Sequence, residues 1–252
     1  MATRYSPKVT TRGLVFLIDP VNPRCVGAGD TDCLDLVGGK RCSGASGNPG
    51  TGTHTESTSN FPTIAKDQST NSSSYVFAFD GSDGINIDED LGSNSECTVG
   101  MWFFKTSTDN DYLFDFRNDG GSWWLTNYIS NDGNTYNINI HNTLRYNFGE
   151  GSYSASNFPT NVWIHLMITS DSSGSKIYLN GRERTATHST SASENFGINA
   201  RIGTRYTYGT HWDGKMGPIY LYNKVLTAAE VKQNFLAHVG RYEAKLCPES
   251  SF

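Results

Sequence analysis

The chain has 252 residues and a formal net charge of −5, with 36% hydrophobic, 12% aromatic and 18% charged residues. It contains neither a long basic stretch nor an apolar run long enough to span a bilayer, which argues against nucleic-acid and membrane partners. Aromatic residues favour strands and the 26 glycines favour turns, so the composition predicts many short strands in a single domain.

The beginning of the chain combines one predicted strand with two polar segments. Residues 1–11 are polar and predict an arm, whereas residues 13–18 (GLVFLI) predict a buried strand. Residues 38–60 are rich in Gly, Ser and Thr and show no apolar period, which predicts a long surface loop. The folded domain is expected to occupy residues 12–242, followed by a tail over residues 243–252.

From residue 75 onward, strand signals recur roughly every 8–15 residues. The predicted strands are 75–79, 97–104, 111–116, 123–128, 135–140, 143–148, 162–169, 175–180, 198–203 and 216–222. Turn signals such as Asn180-Gly181 separate them, because Asn-Gly tolerates the positive φ that short hairpins need. The segments 97–104 and 162–169 are apolar on both faces, which is typical of central strands in a layered core.

One helix is predicted near the C-terminus, over about residues 227–238. Thr227 and Glu230 have the spacing of a capping box, in which each side chain binds the backbone amide of the other residue. Val231 and Phe235 lie one helical turn apart and should pack against the strands.

The five cysteines are Cys25, Cys33, Cys42, Cys97 and Cys247. Their odd number and the absence of a C-x-x-C motif predict free thiols, made in a reducing cytoplasm. The N-terminal sequence shows no apolar segment of the kind that directs export, which agrees with that interpretation. A single bridge among the first three cysteines remains an open alternative.

Several segments, taken in order, resemble one protein family. They are GLVFLIDPVNPR at 13–24, FDGSDGINI at 79–87, NVWIHLMIT at 161–169, KIYLNGRE at 176–183 and DGKMGPIYLYNKVLTAAEVKQNF at 213–235. Together they resemble concanavalin A-like (laminin G-like) domains of tailed-phage structural proteins, including those of cyanophages. The resemblance implies an all-β fold: a two-layer antiparallel β-sandwich, or concanavalin A-like jelly roll, with one short C-terminal helix.

The same resemblance implies a virion component that is made in the host cytoplasm. A stand-alone domain fits a non-enzymatic accessory protein that decorates the head and attaches to major capsid or tail proteins. The arm (1–11) and the loop (38–60) are the candidate attachment segments. The alternative is a lectin-like tail or fibre module that binds a host surface glycan, and a homo-oligomer is compatible with either hypothesis.

No catalytic residue is predicted, and a polysaccharide hydrolase is the third hypothesis. Glucanases of this fold carry an E-x-D-x-x-E motif that places two carboxylates on one strand face, and this sequence lacks it. The run Asp88-Glu89-Asp90 would point its consecutive acids to opposite faces of an extended strand. His165 lies in an apolar strand and is interpreted as a hydrogen-bonded structural residue.

Calcium is the one candidate cofactor, because relatives with this fold often bind it through loop carboxylates. Asp80 and Asp83 follow a predicted strand, and Asp213 lies in a loop that the family places nearby. These three residues are the candidate metal ligands. The alternative interpretation is that Asp80 and Asp83 only stabilise a turn.

Two aromatic clusters are candidate sites for glycan binding, because sugars stack on exposed aromatic rings. The candidate residues are Trp123, Trp124, Tyr128, Tyr206, Tyr208, His211 and Trp212. The alternative is that these rings fill the core or a subunit contact.

Overall fold

The computed structural model describes residues 8–27, 29–46, 55–56, 60–69, 74–89, 91, 96–107, 109, 111–117, 125–131, 136–140, 144–147, 160–184, 188–189, 199–205 and 210–242. These residues form two antiparallel sheets and one C-terminal helix, so the predicted all-β sandwich is confirmed. No helix among them is long and apolar enough to cross a membrane. The predicted tail (243–252) and most of the predicted arm lie outside the described residues.

The first sheet contains eight strands in the described part of the chain. Its hydrogen-bonded order is β15 (Arg182–Arg184), β14 (Gly174–Leu179), β13 (Trp163–Asp171), β8 (Cys97–Lys105), β18 (Asp213–Tyr222), β6 (Tyr75–Asp80) and β5 (Thr63–Lys66), with β1 (Leu14–Ile18) also paired to β18.

Strand β18 pairs with two different strands along one of its edges. Its first residues, 213–216, pair with β6, whereas residues 219–222 pair with β1. The register irregularity between Met216 and Ile219 contains Pro218, which has no amide hydrogen to donate. The proline therefore lies where the ladder between β18 and β8 is interrupted, between the part of β18 that pairs with β6 and the part that pairs with β1.

The second sheet contains ten strands within the described residues. Its order is β16 (His188–Ser189), β12 (Leu144–Asn147), β11 (Tyr136–Ile140), β10 (Leu125–Asn131), β9 (Asp111–Arg117), β17 (Asn199–Ile202), β7 (Ile85–Ile87), β3 (Arg41–Ser46) and β2 (Asp32–Leu34), with β4 (Thr55–Glu56) paired to β3.

The prediction of a continuous surface loop over residues 38–60 was wrong, because this segment contributes β3 and β4 to the second sheet. Cys42 and Ala45 on β3 are fully buried. Small residues are required there, since a Cβ added at Gly84 would lie only 3.0 Å from the Cβ of Ala45. The strand was missed because Cys, Gly and Ala do not produce a recognisable apolar period.

The main core lies between the two sheets. Strand β8 contributes Val99, Met101 and Phe103 to it, and β9 contributes Phe114 and Phe116. The alternate residues of β8 face the opposite side, where the C-terminal helix α1 (Ala228–Tyr242) covers Trp102. The predicted apolar character of both faces of 97–104 is thereby explained, since one face meets the second sheet and the other meets the helix.

The helix α1 spans Ala228–Tyr242, four residues beyond its predicted end. The capping box is confirmed: the Glu230 amide donates to Oγ1 of Thr227 at 3.3 Å, and the Thr227 amide donates to Oε2 of Glu230 at 2.8 Å. The last residue, Tyr242, is buried with its ring 4.5 Å from Trp102 and 4.3 Å from Trp163. This aromatic anchor holds the last turn against the first sheet.

Candidate functional site

The first sheet ends in a polar rim, which we define by Asp80, Asp83, His211 and Asp213 and call the acidic rim. Asp80 is the last residue of β6 and Asp213 the first of β18, and the two are direct partners across this strand pair. The amide of Gly81 then donates to the carbonyl of Trp212 at 3.1 Å. The pairing of β6 with β18 thus brings together residues more than a hundred positions apart in sequence.

Asp80 and Asp83 stabilise the turn between β6 and β7. Oδ1 of Asp80 accepts hydrogen bonds from the amide of Ser82 at 2.9 Å and from its hydroxyl at 2.7 Å. The Asp80 amide donates to Oδ2 of Asp83 at 3.2 Å. Gly81 has a φ of +86°, which a glycine adopts without strain. This geometry agrees with the alternative interpretation in which both aspartates serve a turn.

The pKa values of the two carboxyl groups are shifted in opposite directions. Burial raises the pKa of Asp83 to about 6, and the neighbouring charge of Asp80 adds to this effect. The hydrogen bonds from Ser82 lower the pKa of the exposed Asp80. Asp83 therefore takes up its proton as the pH falls through about 6, whereas Asp80 keeps its negative charge to lower pH.

His211 and Asp213 complete the rim on the β18 side. Nδ1 of the half-buried His211 donates to the carbonyl oxygen of Asp83 at 3.0 Å, because that oxygen can only accept. Oδ1 of Asp213 accepts a hydrogen bond from the exposed hydroxyl of Thr106 at 2.7 Å. The rim therefore presents hydroxyl, carboxylate and imidazole groups in fixed positions.

Beneath the rim lies a buried ion pair that the sequence analysis missed. Nζ of Lys105 contacts Oδ2 of Asp111, donates to Oγ of Ser107 at 3.2 Å, and lies 5.0 Å from the ring centroid of Trp212. Burial lowers the pKa of Lys105 and raises the pKa of Asp111, since a buried site disfavours both charges. The available signal was the lysine that ends the otherwise uncharged segment CTVGMWFFK.

The predicted calcium ligands come together on the rim but do not form a metal site. Among the described residues, no group of three or more His, Cys, Asp or Glu side chains could hold a metal ion. The Asp83 carboxyl is buried and holds its proton up to about pH 6, and Asp213 is bonded to Thr106. The arrangement of Asp80, Asp83 and Asp213 therefore does not support the calcium prediction.

The aromatic prediction needs one correction. Trp212 is 0% exposed and packs edge-on against Phe103 at 5.6 Å, so it has no free face for a sugar. The prediction that Trp212 is a stacking residue was wrong, because its ring points into the core below the rim. Trp123, Trp124, Tyr206 and Tyr208 lie outside the described residues, and only the backbone of Tyr128 is described, in β10.

His165 differs from its sequence-based interpretation. Its ring is fully buried against Trp102 and Phe235, and neither ring nitrogen has a hydrogen-bond partner among the described residues. It is therefore a packing residue and not a hydrogen-bonded one. Burial lowers the pKa of His165 to about 3, with a smaller contribution from His238, so the ring is neutral at physiological pH.

A second polar feature, which the sequence analysis also missed, crosses the second sheet. Ser43, Asn86, Arg201 and Asp115 occupy one line of register across β3, β7, β17 and β9, and all four are buried. Their strand neighbours face the main core, so this line lies on the other face of the sheet. Neither amide atom of Asn86 has a hydrogen-bond partner among the described residues.

Solved structures of other proteins share this fold. One is Domain 4 of AbnA, a GH43 extracellular arabinanase from Geobacillus stearothermophilus, solved in complex with arabinotriose. It is 18% identical, has a TM-score of 0.58, and the match covers 90% of this chain and 100% of that one. Trypanosoma rangeli sialidase is 13% identical with a TM-score of 0.61, and the match covers 91% of this chain and 33% of the sialidase. At these identities the likeness shows the fold alone.

The family follows from the sequence. A search of curated proteins gave no match. A family model described as the concanavalin A-like lectin/glucanases superfamily matches residues 79–232, which is more than half of the chain and includes the whole acidic rim. The chain therefore belongs to the concanavalin A-like lectin/glucanase superfamily.

Proposed function

We propose that this protein is a non-enzymatic carbohydrate-binding domain whose ligand contacts the acidic rim. The observation that carries the proposal is the convergence of four polar side chains at one end of the sandwich: the exposed Asp80, the half-buried His211 and Asp213, and the buried Asp83. Sugar hydroxyls both donate and accept hydrogen bonds, and they pair well with fixed carboxylate, hydroxyl and imidazole groups. The arabinotriose bound by the arabinanase domain of the same fold supports this ligand class.

The burial of Asp83 favours binding over hydrolysis. Glycosidases need two carboxyl groups roughly 5–9.5 Å apart, so that the sugar linkage or a water fits between them. The Asp80 amide donates to Oδ2 of Asp83 at 3.2 Å, so the Asp83 carboxyl, which is only 6% exposed, is bound within its own turn. A buried carboxyl held in this way is poorly placed to serve as the second catalytic group on a sugar linkage.

The test is a polysaccharide array followed by calorimetry on any hit. We expect saturable binding by the native protein and about tenfold weaker binding by Asp80→Asn, corresponding to one lost charge-assisted hydrogen bond. Asp32→Asn is the matched control, because Asp32 lies in an exposed ion pair with Arg41 on β2 and β3. An array with no binding, or equal losses in both variants, would contradict the proposal.

A second candidate function is attachment to a protein shell, as expected for a virion decoration protein made in the host cytoplasm. Leu34 and Val37 are 48% and 46% exposed, and they are two of the three large hydrophobic side chains exposed among the described residues. Both border the same groove, next to β2 at the end of the second sheet. An exposed apolar pair beside a terminal strand is suited to contact with capsid or tail proteins.

This second proposal is tested by reconstitution on purified shells that lack the protein. Native protein should bind the shells, and the double change Leu34→Glu with Val37→Glu should abolish binding. Leu236→Glu is the control, because Leu236 is 40% exposed but lies on the helix α1. Binding no better than buffer, or a double variant that still binds, would refute attachment through this edge.

A further inference from the structure

Three cysteines of the second sheet lie side by side. Cys33 on β2 and Cys42 on β3 are direct partners in the antiparallel register. Cys25 lies along the other edge of β2, where its carbonyl accepts a hydrogen bond from the amide of Leu34 at 2.8 Å. Cys33 is therefore the central member of a three-thiol row.

The row is buried but unbridged. All three thiols are free, and they belong to the main core. Cys25, 4% exposed, is the outermost, followed by Cys33 at 2% and Cys42 at 0%. The hydrogen bond from Cys33 lowers the pKa of Cys25, because it stabilises the thiolate of Cys25 more than burial destabilises it. Since the thiolate is the reactive form, Cys25 is the first of the three to meet a small oxidant.

We propose that Cys25, Cys33 and Cys42 form an oxidation site, at which a peroxide-class oxidant joins Cys33 to Cys25 by a disulfide bond while Cys42 stays reduced. A small oxidant suits the site, because the thiols are too buried for a bulky disulfide reagent. The site lies beside the edge strand β2 and not at the acidic rim, so it does not depend on carbohydrate binding.

The oxidation proceeds in two steps, through a sulfenic acid to the disulfide bond. The Cys25 thiolate attacks one peroxide oxygen, the O–O bond breaks, and the departing hydroxide takes up a proton to leave as water, giving a sulfenic acid on Cys25. The sulfur of Cys33 then attacks the sulfur of Cys25, loses its proton, and expels the hydroxyl group as a second water. The two thiols have lost two electrons, and the peroxide has gained them.

A tryptic digest distinguishes the disulfide bonds that the three cysteines can form. Cleavage after Arg24, Lys40 and Arg41 places Cys25 and Cys33 together in peptide 25–40 and Cys42 in peptide 42–66. The native chain is treated with hydrogen peroxide, its remaining thiols are alkylated under denaturing conditions, and the digest is analysed by mass spectrometry. We expect peptide 25–40 to lose about 2 Da without alkylation, and peptide 42–66 to be alkylated.

Variants test the central position of Cys33. In Cys25→Ser we expect no disulfide bond, because the thiolate that attacks the peroxide is absent. In Cys42→Ser the 2 Da loss should persist, in Cys33→Ser no bond should form, and Cys97→Ser should behave as the native chain. Alkylation of every thiol in the oxidised native chain, a 25–40 to 42–66 link in that chain, or a disulfide bond in oxidised Cys25→Ser would overturn the proposal.

A melting curve gives an independent measurement that does not depend on peptide recovery. The bond should raise the melting temperature of the native chain by roughly 5 °C, and dithiothreitol should reverse the change. Cys33→Ser should show no such rise after the same peroxide treatment. An equal rise in Cys33→Ser would mean that the effect arises elsewhere.

Discussion

The indole Nε1–H of Trp163 donates a hydrogen bond to Oδ2 of Asp67 at 2.8 Å, joining residues 96 positions apart in sequence. Oδ1 of the same carboxylate accepts from Nζ of Lys215 at 2.7 Å. Asp67 is fully buried, and its other hydrogen bonds within the described part of the chain come from the amide and hydroxyl of Ser69. One carboxylate thus connects β5, β13 and β18 on the helix-facing side of the first sheet.

Replacing Asp67 by alanine should cost roughly 2–4 kcal/mol of the free energy of unfolding, because a buried indole N–H and a partly buried ammonium lose their partner. Lys215 is about a quarter exposed, which keeps the cost below that of a fully buried pair. Urea denaturation of Asp67→Ala measures it. Asp32→Ala, which removes an exposed ion pair, should change the free energy by less than about 0.5 kcal/mol. Equal effects in the two variants would contradict this account.

Substitutions of Lys105 and Asp111 should have non-additive effects on the free energy of unfolding. Either Lys105→Met or Asp111→Leu alone should cost roughly 3–5 kcal/mol, because the remaining charge is left buried. The double variant should cost at most about 1–2 kcal/mol, since an apolar pair of similar volume needs no partner. A double-mutant cycle by chemical denaturation measures the coupling. Simple addition of the two single costs would show that the side chains act independently.

The buried histidines predict acid sensitivity. Burial lowers the pKa of His165 to about 3 and that of His238 to about 4, against about 6.5 for an unfolded chain. Above about pH 6.5 both histidines are neutral in the folded and the unfolded chain, so their full contribution to the free energy of unfolding is present there. As the pH falls from 6.5 toward 4 only the unfolded state takes up their protons, so each should remove roughly 1 kcal/mol of stability per pH unit.

The variant His165→Phe isolates this effect, because phenylalanine fits the surrounding aromatic rings and does not titrate. Its free energy of unfolding, measured from pH 7 to pH 4.5, should fall less steeply than that of the native chain by roughly 1 kcal/mol per pH unit. Asp83 has a raised pKa and acts in the opposite direction, stabilising the fold as the pH falls through 6, but it contributes equally to both proteins. Parallel pH profiles would show that His165 is not neutral in the folded state.

Local patterns predicted the parts of this fold that depend on neighbouring residues. The capping box at Thr227 fixed the start of the helix, and the apolar runs of β8 and β13 marked the central strands. Contacts between residues far apart in sequence could not be predicted in this way. Trp212 is buried because it packs against Phe103 and Lys105, and no local pattern indicates those contacts. The convergence of Asp80 with Asp213 was predicted through the resemblance, because it depends on how two distant strands pair.

Substitutions at Asn86 and at its neighbour Ser43 should change the free energy of unfolding in opposite directions. Asn86 lies fully buried on β7 without a hydrogen-bond partner among the described residues. Leucine has a similar shape and no polar atoms, so Asn86→Leu should raise the free energy of unfolding by about 1 kcal/mol. Ser43 is its cross-strand partner, and its hydroxyl donates to Oδ1 of Asp88 at 2.7 Å. Ser43→Ala should therefore lower the free energy by about 1 kcal/mol. Urea denaturation of both variants decides the matter, and a loss of stability in Asn86→Leu would mean that its amide is satisfied in solution.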